Sequence, residues 1–248
     1  MSFLAAHAVF WPVAIPICVA ALCGVFWLRP SIQRTISLAG IVLMAAAALL
    51  LLIVVMENGT QAIAFGDWPP PFGIGFVADL LGAAMVMIAG MLALAAGIFG
   101  LADIRPRQEY AGFHPLLHGM LAAVNGAFLT GDIFNLYVWF EIMLITVLGL
   151  LVIDRTRAQL DGAIKYAVLN LLGTLLFLLA VALLYGVTGT LNIADLSVVL
   201  RETEPSTALA LSAALFLLAL GIKAGFFPLF FWLPASYHTA AITVSALL

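Results

Sequence analysis

Long apolar stretches alternate with short polar connections along the whole chain. Most of these stretches approach the roughly 20 residues that a helix needs to cross a hydrocarbon core of about 30 Å. The pattern predicts an all-α polytopic membrane helix bundle with seven complete transmembrane helices and an incomplete eighth, at residues 9–28, 36–56, 76–100, 115–129, 133–153, 162–185, 208–233 and 238–248. Because no repeat or linker interrupts the pattern, we expect a single transmembrane domain over residues 1–248.

The composition agrees with a lipid bilayer as the surroundings of the chain. Apolar residues make up 65% of the sequence and charged residues 8%, against about 45–50% and 25% in soluble domains. The net charge of −3 gives no reason to expect a nucleic-acid partner. Cys18 and Cys23 lack the spacing of a redox or metal motif, and no nucleotide loop or haem ligand set is visible. We therefore expect no cofactor and no bound metal.

The basic residues of the connections fall mainly on one side of the predicted bundle. Connections after the first, third and fifth predicted helices contain Arg29, Arg34, Arg105, Arg107, Arg155 and Arg157, whereas the opposite set contains only Arg201. Cytoplasmic loops retain an excess of Lys and Arg. The distribution predicts an external N-terminus for a protein of the cell inner (plasma) membrane.

Three further segments carry local predictions. Residues 57–75 contain "WPPPFGIG", whose prolines and glycines predict a rigid external turn or hairpin. Residues 186–207 contain "LNIADLSVVL", which predicts a short helix along the membrane surface. The fourth predicted helix is short, and its Gly119 and Gly126 favour close packing inside the bundle.

Two charged residues lie deep within predicted transmembrane helices. Glu141 lies among large apolar side chains in "FNLYVWFEIMLI", and Lys223 lies in the seventh predicted helix, shortly before Pro228. A charge at the bilayer centre costs about 2.5–3.5 kcal/mol on insertion scales, and such residues face the bundle interior and often carry ions or protons. We expect Glu141 and Lys223 to pair with each other, and Pro228 to break or kink its helix. A purely structural ion pair is the alternative, although such pairs stabilise poorly.

The remaining ionisable residues have two interpretations each. Lys165 is either a proton-transfer group or an interfacial lysine whose ammonium reaches water. His238 is either a proton relay or an interfacial histidine. Asp79 is expected to be a helix N-terminal acid rather than a proton carrier. His114 and His118 share a helix face and could bind a metal, but without a third ligand they make a weak metal site.

Several long motifs resemble one family. They are "GDWPPPFGIGFVADLLGAAMV", "FLTGDIFNLYVWFEIMLI", "KYAVLNLLGTLLFLLAVALLYGVTGTLNIADLS" and "GIKAGFFPLFFWLPASYHTAAITVSALL". Together they resemble the proton-translocating membrane subunits shared by respiratory complex I and Mrp-type multisubunit cation/proton antiporters. The resemblance implies that Glu141 is the acidic residue of the fifth helix, Lys223 the lysine of a broken seventh helix, and Lys165 the lysine of the sixth.

The same resemblance implies a function and partners. It predicts proton translocation coupled to sodium or potassium exchange, alongside other subunits of a hetero-oligomeric antiporter. Family members usually continue with "HTAP" or "HTPP" where this chain has "HTAA", and they contain a second, inverted helix unit beyond these 248 residues. Two alternatives remain open: a proton-pumping subunit of a quinone oxidoreductase or membrane hydrogenase, and a structural or assembly subunit that transports nothing. The chain would be part of an enzyme only in the redox-driven case.

Overall fold

The structure is a computed structural model that describes residues 7–67 and 73–248. Its helices are α1 (Trp11–Val25), α2 (Pro30–Asn58), α3 (Leu80–Asp103), α4 (Pro106–Tyr110), α5 (Phe113–Leu129), α6 (Ile133–Leu151), α7 (Arg157–Thr188), α8 (Ile193–Glu202), α9 (Thr207–Lys223), α10 (Trp232–Tyr237) and α11 (Ile242–Ser245). Two short strands, β1 (Gln61–Ala64) and β2 (Gly75–Ala78), pair in antiparallel fashion.

Four helices of the described residues are long and apolar enough to cross a membrane by length and composition: α2, α3, α6 and α7. Helices α1 and α9 are shorter and also apolar. The third predicted helix, 76–100, starts too early, because residues 75–78 form β2 and Asp79 caps α3 by accepting a hydrogen bond from the Gly82 amide at 2.7 Å. Residues 75–78 therefore form a strand where the apolar composition alone had predicted the first turn of a helix.

The helices pack around α5 at one side and α7 at the other. Helix α5 contacts α1, α3 and α6, while α7 contacts α6, α9 and α10. The predicted close packing at the two α5 glycines is confirmed. A Cβ atom on Gly126 would overlap the Trp139 ring, and one on Gly119 would lie 2.7 Å from Thr146 Cγ2. Since larger residues would push α6 away, these glycines set the distance between the two helices.

Connections at one end of the bundle contact each other. Thr130 forms a β-bridge with Phe76, and Asp132 forms one with Asn192. Asp132 also caps α6 by accepting a hydrogen bond from the Asn135 amide at 2.8 Å. The β1–β2 hairpin lies at this end, as predicted for the region 57–75, although most of "WPPPFGIG" lies outside the described residues.

Connections at the opposite end also contact each other. Gln108 donates a hydrogen bond to Asp154 at 2.9 Å, and Gln159 donates one to the Thr239 carbonyl at 3.1 Å. This end contains the arginine pairs that follow the first, third and fifth predicted helices. The chain therefore alternates between two ends, which agrees with the alternation read from the charges.

Candidate functional site

Helix α9 ends at Lys223, and the chain does not become helical again until Trp232. Gly225 adopts a φ of +65° in this interval, a conformation that costs glycine little because it has no Cβ. The indole nitrogen of Trp232 donates a hydrogen bond to the Ile222 carbonyl at 3.0 Å. This bond satisfies one of the carbonyls that the end of α9 leaves without a helical partner.

A cavity of about 620 Å³ lies beside the end of α9. Lys223 is the one Lys, Arg, Asp or Glu among its lining residues, which are Phe128, Phe140, Met143, Leu144, Val147, Tyr166, Asn170, Leu220, Lys223, Ala224, Trp232, Tyr237 and Leu248. Two phenol groups, an amide and an indole supply the remaining polar side chains of this lining. The lysine thus faces a space that can hold several water molecules, since one water needs about 10–15 Å³ of such volume.

Lys223 and Glu141 do not form the predicted direct ion pair. The ion pairs of the described residues are Arg34–Glu109, His114–Glu109 and Lys165–Asp161. Instead, Lys223 Nζ lies 4.6 Å from the centroid of the Phe140 ring. Glu141 is the next residue on α6. The ring of Phe140 therefore lies next to the ammonium, in the position where the sequence predicted the carboxylate of Glu141.

The structure does not bring Lys165 and His238 to this cavity. Lys165 is exposed, and its ammonium lies 2.5 Å from Asp161, one helical turn earlier on α7. His238 is also exposed, and its Nδ1 contacts the carbonyl oxygen of Pro234. Of the four predicted site residues, only Lys223 lines the cavity.

The aromatic residues of the site were missed by sequence reasoning. Tyr166 packs edge-on against Trp232 with 5.4 Å between ring centroids, and Trp232 packs in the same way on Tyr237. Ser236 donates to the Gly162 carbonyl at 3.1 Å and fastens α10 to α7. In a chain with 65% apolar residues, aromatic side chains give no signal that separates a site from the general packing.

Comparison with known proteins gives the family of this chain. Residues 130–248 match the family model described as NADH:quinone oxidoreductase/Mrp antiporter, transmembrane. The chain is also 41% identical, over 97% of its length, to the D subunit of the Na(+)/H(+) antiporter of Alkalihalophilus pseudofirmus. It is 37% identical, over 96% of its length, to the D subunit of a probable K(+)/H(+) antiporter of Rhizobium meliloti. This chain belongs to the NADH:quinone oxidoreductase/Mrp antiporter family of membrane subunits.

Solved structures of the family have the same fold. A chain of the Mrp complex from Dietzia sp. matches all of this chain with a TM-score of 0.87 at 32% identity, and 46% of that chain is covered. A chain of the membrane-bound sulfane sulfur reductase, an archaeal respiratory membrane complex, matches 96% of this chain with a TM-score of 0.91 at 27% identity, and 49% of it is covered. This member of the family is therefore a multi-pass membrane protein.

The chain spans about half the length of these curated relatives, covering 49% of the Alkalihalophilus protein and 46% of the Rhizobium protein. Among the residues that the structure describes, no group of three or more His, Cys, Asp or Glu is arranged to hold a metal ion.

Proposed function

We propose that this chain moves protons as part of a multisubunit monovalent cation/proton antiporter, with sodium or potassium as the exchanged cation. The single observation that carries the proposal is Lys223, an ionisable group at the end of an apolar helix, facing a large cavity within the bundle. Such a group is costly in a bilayer and therefore has a functional reason to be there. The antiporter relatives from Alkalihalophilus and Rhizobium make antiport the leading interpretation.

Glu141 and Lys223 are the central proton-transfer groups of this proposal. Glu141 lies in the middle of α6, next to Phe140, whose ring centroid lies 4.6 Å from Lys223 Nζ. Opposite charges in a low-dielectric interior interact over longer distances than in water. The proposal therefore needs no direct contact between Glu141 and Lys223.

Lys165 and His238 have peripheral roles in the proposal. Both are exposed near the end of the bundle that contains the arginine pairs, where they can exchange protons between water and the cavity. We further infer that this end is cytoplasmic, that the N-terminus is external and that the membrane is the plasma membrane. The arginine distribution supports this orientation.

The architecture belongs to the same proposal. We infer seven complete transmembrane helices and an eighth that starts near His238, with the seventh interrupted between α9 and α10. The interruption leaves backbone carbonyls beside a cavity, which is where non-helical backbone is tolerated in a membrane. Other antiporter subunits are the proposed partners, together with protons and the cation.

A redox-driven proton pump is the second candidate. The similarity to a chain of the archaeal respiratory complex favours it, because the fold matches with a TM-score of 0.91. The same residues would then move protons, while the energy would come from partner subunits. A structural subunit that transports nothing is the candidate of another class.

The test is proton flux in membrane vesicles that contain the complete complex. Glu141→Gln and Lys223→Ala are expected to abolish the pH change that a sodium or potassium gradient drives, while the complex still assembles. Phe227→Leu is the control, because this side chain is 86% exposed and does not line the cavity. Normal flux in either charge variant would reject the proton-transfer role. Flux that follows a redox substrate but no cation gradient would favour the second candidate.

A further inference from the structure

A buried polar cluster lies apart from the Lys223 cavity, at the end of the bundle with the arginine pairs. Arg34 on α2 donates from Nε to Glu109 Oε1 at 2.9 Å, and its Nη2 lies at 2.9 Å from the same oxygen. His114 Nε2 is 3.3 Å from that oxygen. The Glu109 residue is only 3% exposed. One carboxylate therefore links α2, α4 and α5 inside the protein.

A second pair continues from this cluster toward the middle of the bundle. Ser37 Oγ lies 2.9 Å from His118 Nε2, and both residues are buried, with His118 0% exposed. Ser37 follows Arg34 by one turn of α2, and His118 follows His114 by one turn of α5. The two pairs thus form successive layers of one polar line between the same helices.

A small cavity lies against the first layer and against Ser37 of the second. It measures about 20 Å³ and is lined by Arg34, Ser37, Glu109 and His114 together with apolar side chains of α2, α3 and α5. A water molecule needs about 10–15 Å³ of such volume and two to four polar partners. The cavity has the volume for one water molecule, and four polar residues contribute to its lining.

Both imidazoles also have a buried nitrogen that no protein group satisfies. Nδ1 of His114 and Nδ1 of His118 have no hydrogen-bond partner within the described part of the chain. An unsatisfied buried polar atom costs about 1–3 kcal/mol. Two unsatisfied nitrogen atoms are explained if the histidines exchange hydrogen-bond partners while the protein functions.

We propose that the polar cluster binds one water molecule and forms a proton relay that leads from Glu109 to His118. The inference rests on the proposed function, since it adds an entry route to the same proton transport. A proton passes from the Glu109 carboxyl, which lines the cavity, to the water, while His114 Nε2 holds that carboxyl in place. The water gives a proton to Ser37 Oγ, and the Ser37 hydroxyl proton moves to His118 Nε2. Each group that gives up a proton receives one from the preceding group, so the relay moves protons and no electrons.

The charged groups around the relay suit this direction. Arg34 of α2 and His114 of α5 both approach Oε1 of Glu109. Glu109, on the short helix α4 at the end of the bundle with the arginine pairs, is the group that collects the proton.

The relay is tested with Ser37→Ala in the complete complex, because this change removes one hydroxyl and no bulk. Ser212→Ala is the matched control. Ser212 lies on α9, outside the polar cluster. It is 1% exposed and donates a hydrogen bond to the Ala180 carbonyl at 2.8 Å. Proton flux in vesicles should fall at least about tenfold in Ser37→Ala and in His118→Gln, since proton-transfer groups commonly contribute a hundredfold or more. Flux should stay within twofold in Ser212→Ala and recover in Ser37→Thr, which restores the hydroxyl.

The outcomes separate the relay from the proposed function. If Lys223→Ala abolishes flux while Ser37→Ala and His118→Gln transport like Ser212→Ala, the relay is rejected and the proposed function stands. If the unsubstituted complex moves no protons, both are rejected. Loss of assembly in Ser37→Ala and His118→Gln, with Ser212→Ala intact, would make the cluster a structural tether and would also reject the relay.

Discussion

The ammonium of Lys223 lies over the ring of Phe140, 4.6 Å from its centroid, and Phe140 directly precedes Glu141 on α6. A cation in this position is attracted by the negative face of the ring, with about 0.5–2 kcal/mol depending on how far water is excluded. The ring therefore holds the lysine at the cavity.

Phe140→Leu should slow proton flux without abolishing it. The substitution removes the ring face beneath the ammonium and loses about 1 kcal/mol of attraction, which corresponds to roughly a fivefold lower rate if the lysine must be held there. Phe134→Leu is the control on the same helix, because Phe134 stacks on Tyr137 and does not line the cavity. Initial rates of a pH-sensitive dye inside vesicles give the measurement. Equal rates for the two variants would show that the ring has no part in transport.

Lys165→Ala should reduce flux much less than Lys223→Ala. Lys165 is exposed and forms an i, i+4 pair with Asp161, a contact that contributes only about 0.3–0.5 kcal/mol. Asp161→Ala removes the same pair and leaves the lysine, so it separates the ion pair from the ammonium. A loss in Lys165→Ala as complete as in Lys223→Ala, with Asp161→Ala normal, would place Lys165 in the central pathway.

Gly162→Ala should destabilise the protein by about 1–3 kcal/mol, as is common when a well-packed site is overfilled. A Cβ atom at this position would overlap the Ala235 carbonyl, where α10 meets α7. Gly186→Ala on the same helix is the control, because a Cβ there meets nothing within 4 Å. The control should be neutral or stabilising by up to about 1 kcal/mol, since alanine favours helix. Thermal unfolding of the purified complex distinguishes the two, and equal midpoints would contradict the close approach.

Asp132→Asn should stabilise the protein near neutral pH and lose that advantage as the pH falls toward 3.8. Burial raises the pKa of the Asp132 carboxyl above its ordinary value of 3.8, against the opposing effect of backbone hydrogen bonds from Asn135 and Phe134. A raised pKa means that the neutral carboxyl is favoured in the folded state, so its stabilising effect is present at low pH and is lost above the raised pKa. Asparagine keeps the helix cap without the charge.

The control for this pH effect is Asp132→Ala, which removes both the charge and the cap that bonds to the Asn135 amide. It should cost about 0.5–2 kcal/mol. Midpoints of thermal unfolding at several pH values give the comparison. A stabilisation by asparagine that grows toward low pH would contradict the sign of the pKa shift.

Labelling should show that the arginine pairs lie on the cytoplasmic side. With Cys18 and Cys23 replaced by serine, Arg105→Cys should resist a membrane-impermeant thiol reagent in intact cells, and Glu204→Cys should react. Both positions are exposed, so access of the reagent and not burial decides the result. Reaction at position 105 with protection at position 204 would invert the proposed topology.

Much of the fold could be predicted from the sequence because hydrophobicity acts locally along the chain. The length of an apolar run decides whether a helix can span a bilayer, and arginine counts follow the alternation of the connections. The short helix predicted in "LNIADLSVVL" is present as α8, and Asp79 caps a helix as expected. The small residues Gly119 and Gly126 also revealed close packing, because only glycine allows such an approach.

A bundle of apolar helices with charges at Glu141 and Lys223 followed from the amino-acid order alone. Which groups meet depended on the folded chain. Folding placed Phe140 against Lys223, left Lys165 and His238 outside the cavity, and joined Arg34 and Glu109, which are 75 residues apart in the chain. The physical reason is that the pattern of apolar side chains shows which segments are helical. It does not show how each helix is rotated about its axis or which helix lies beside it, because both depend on packing along the whole length of adjacent helices.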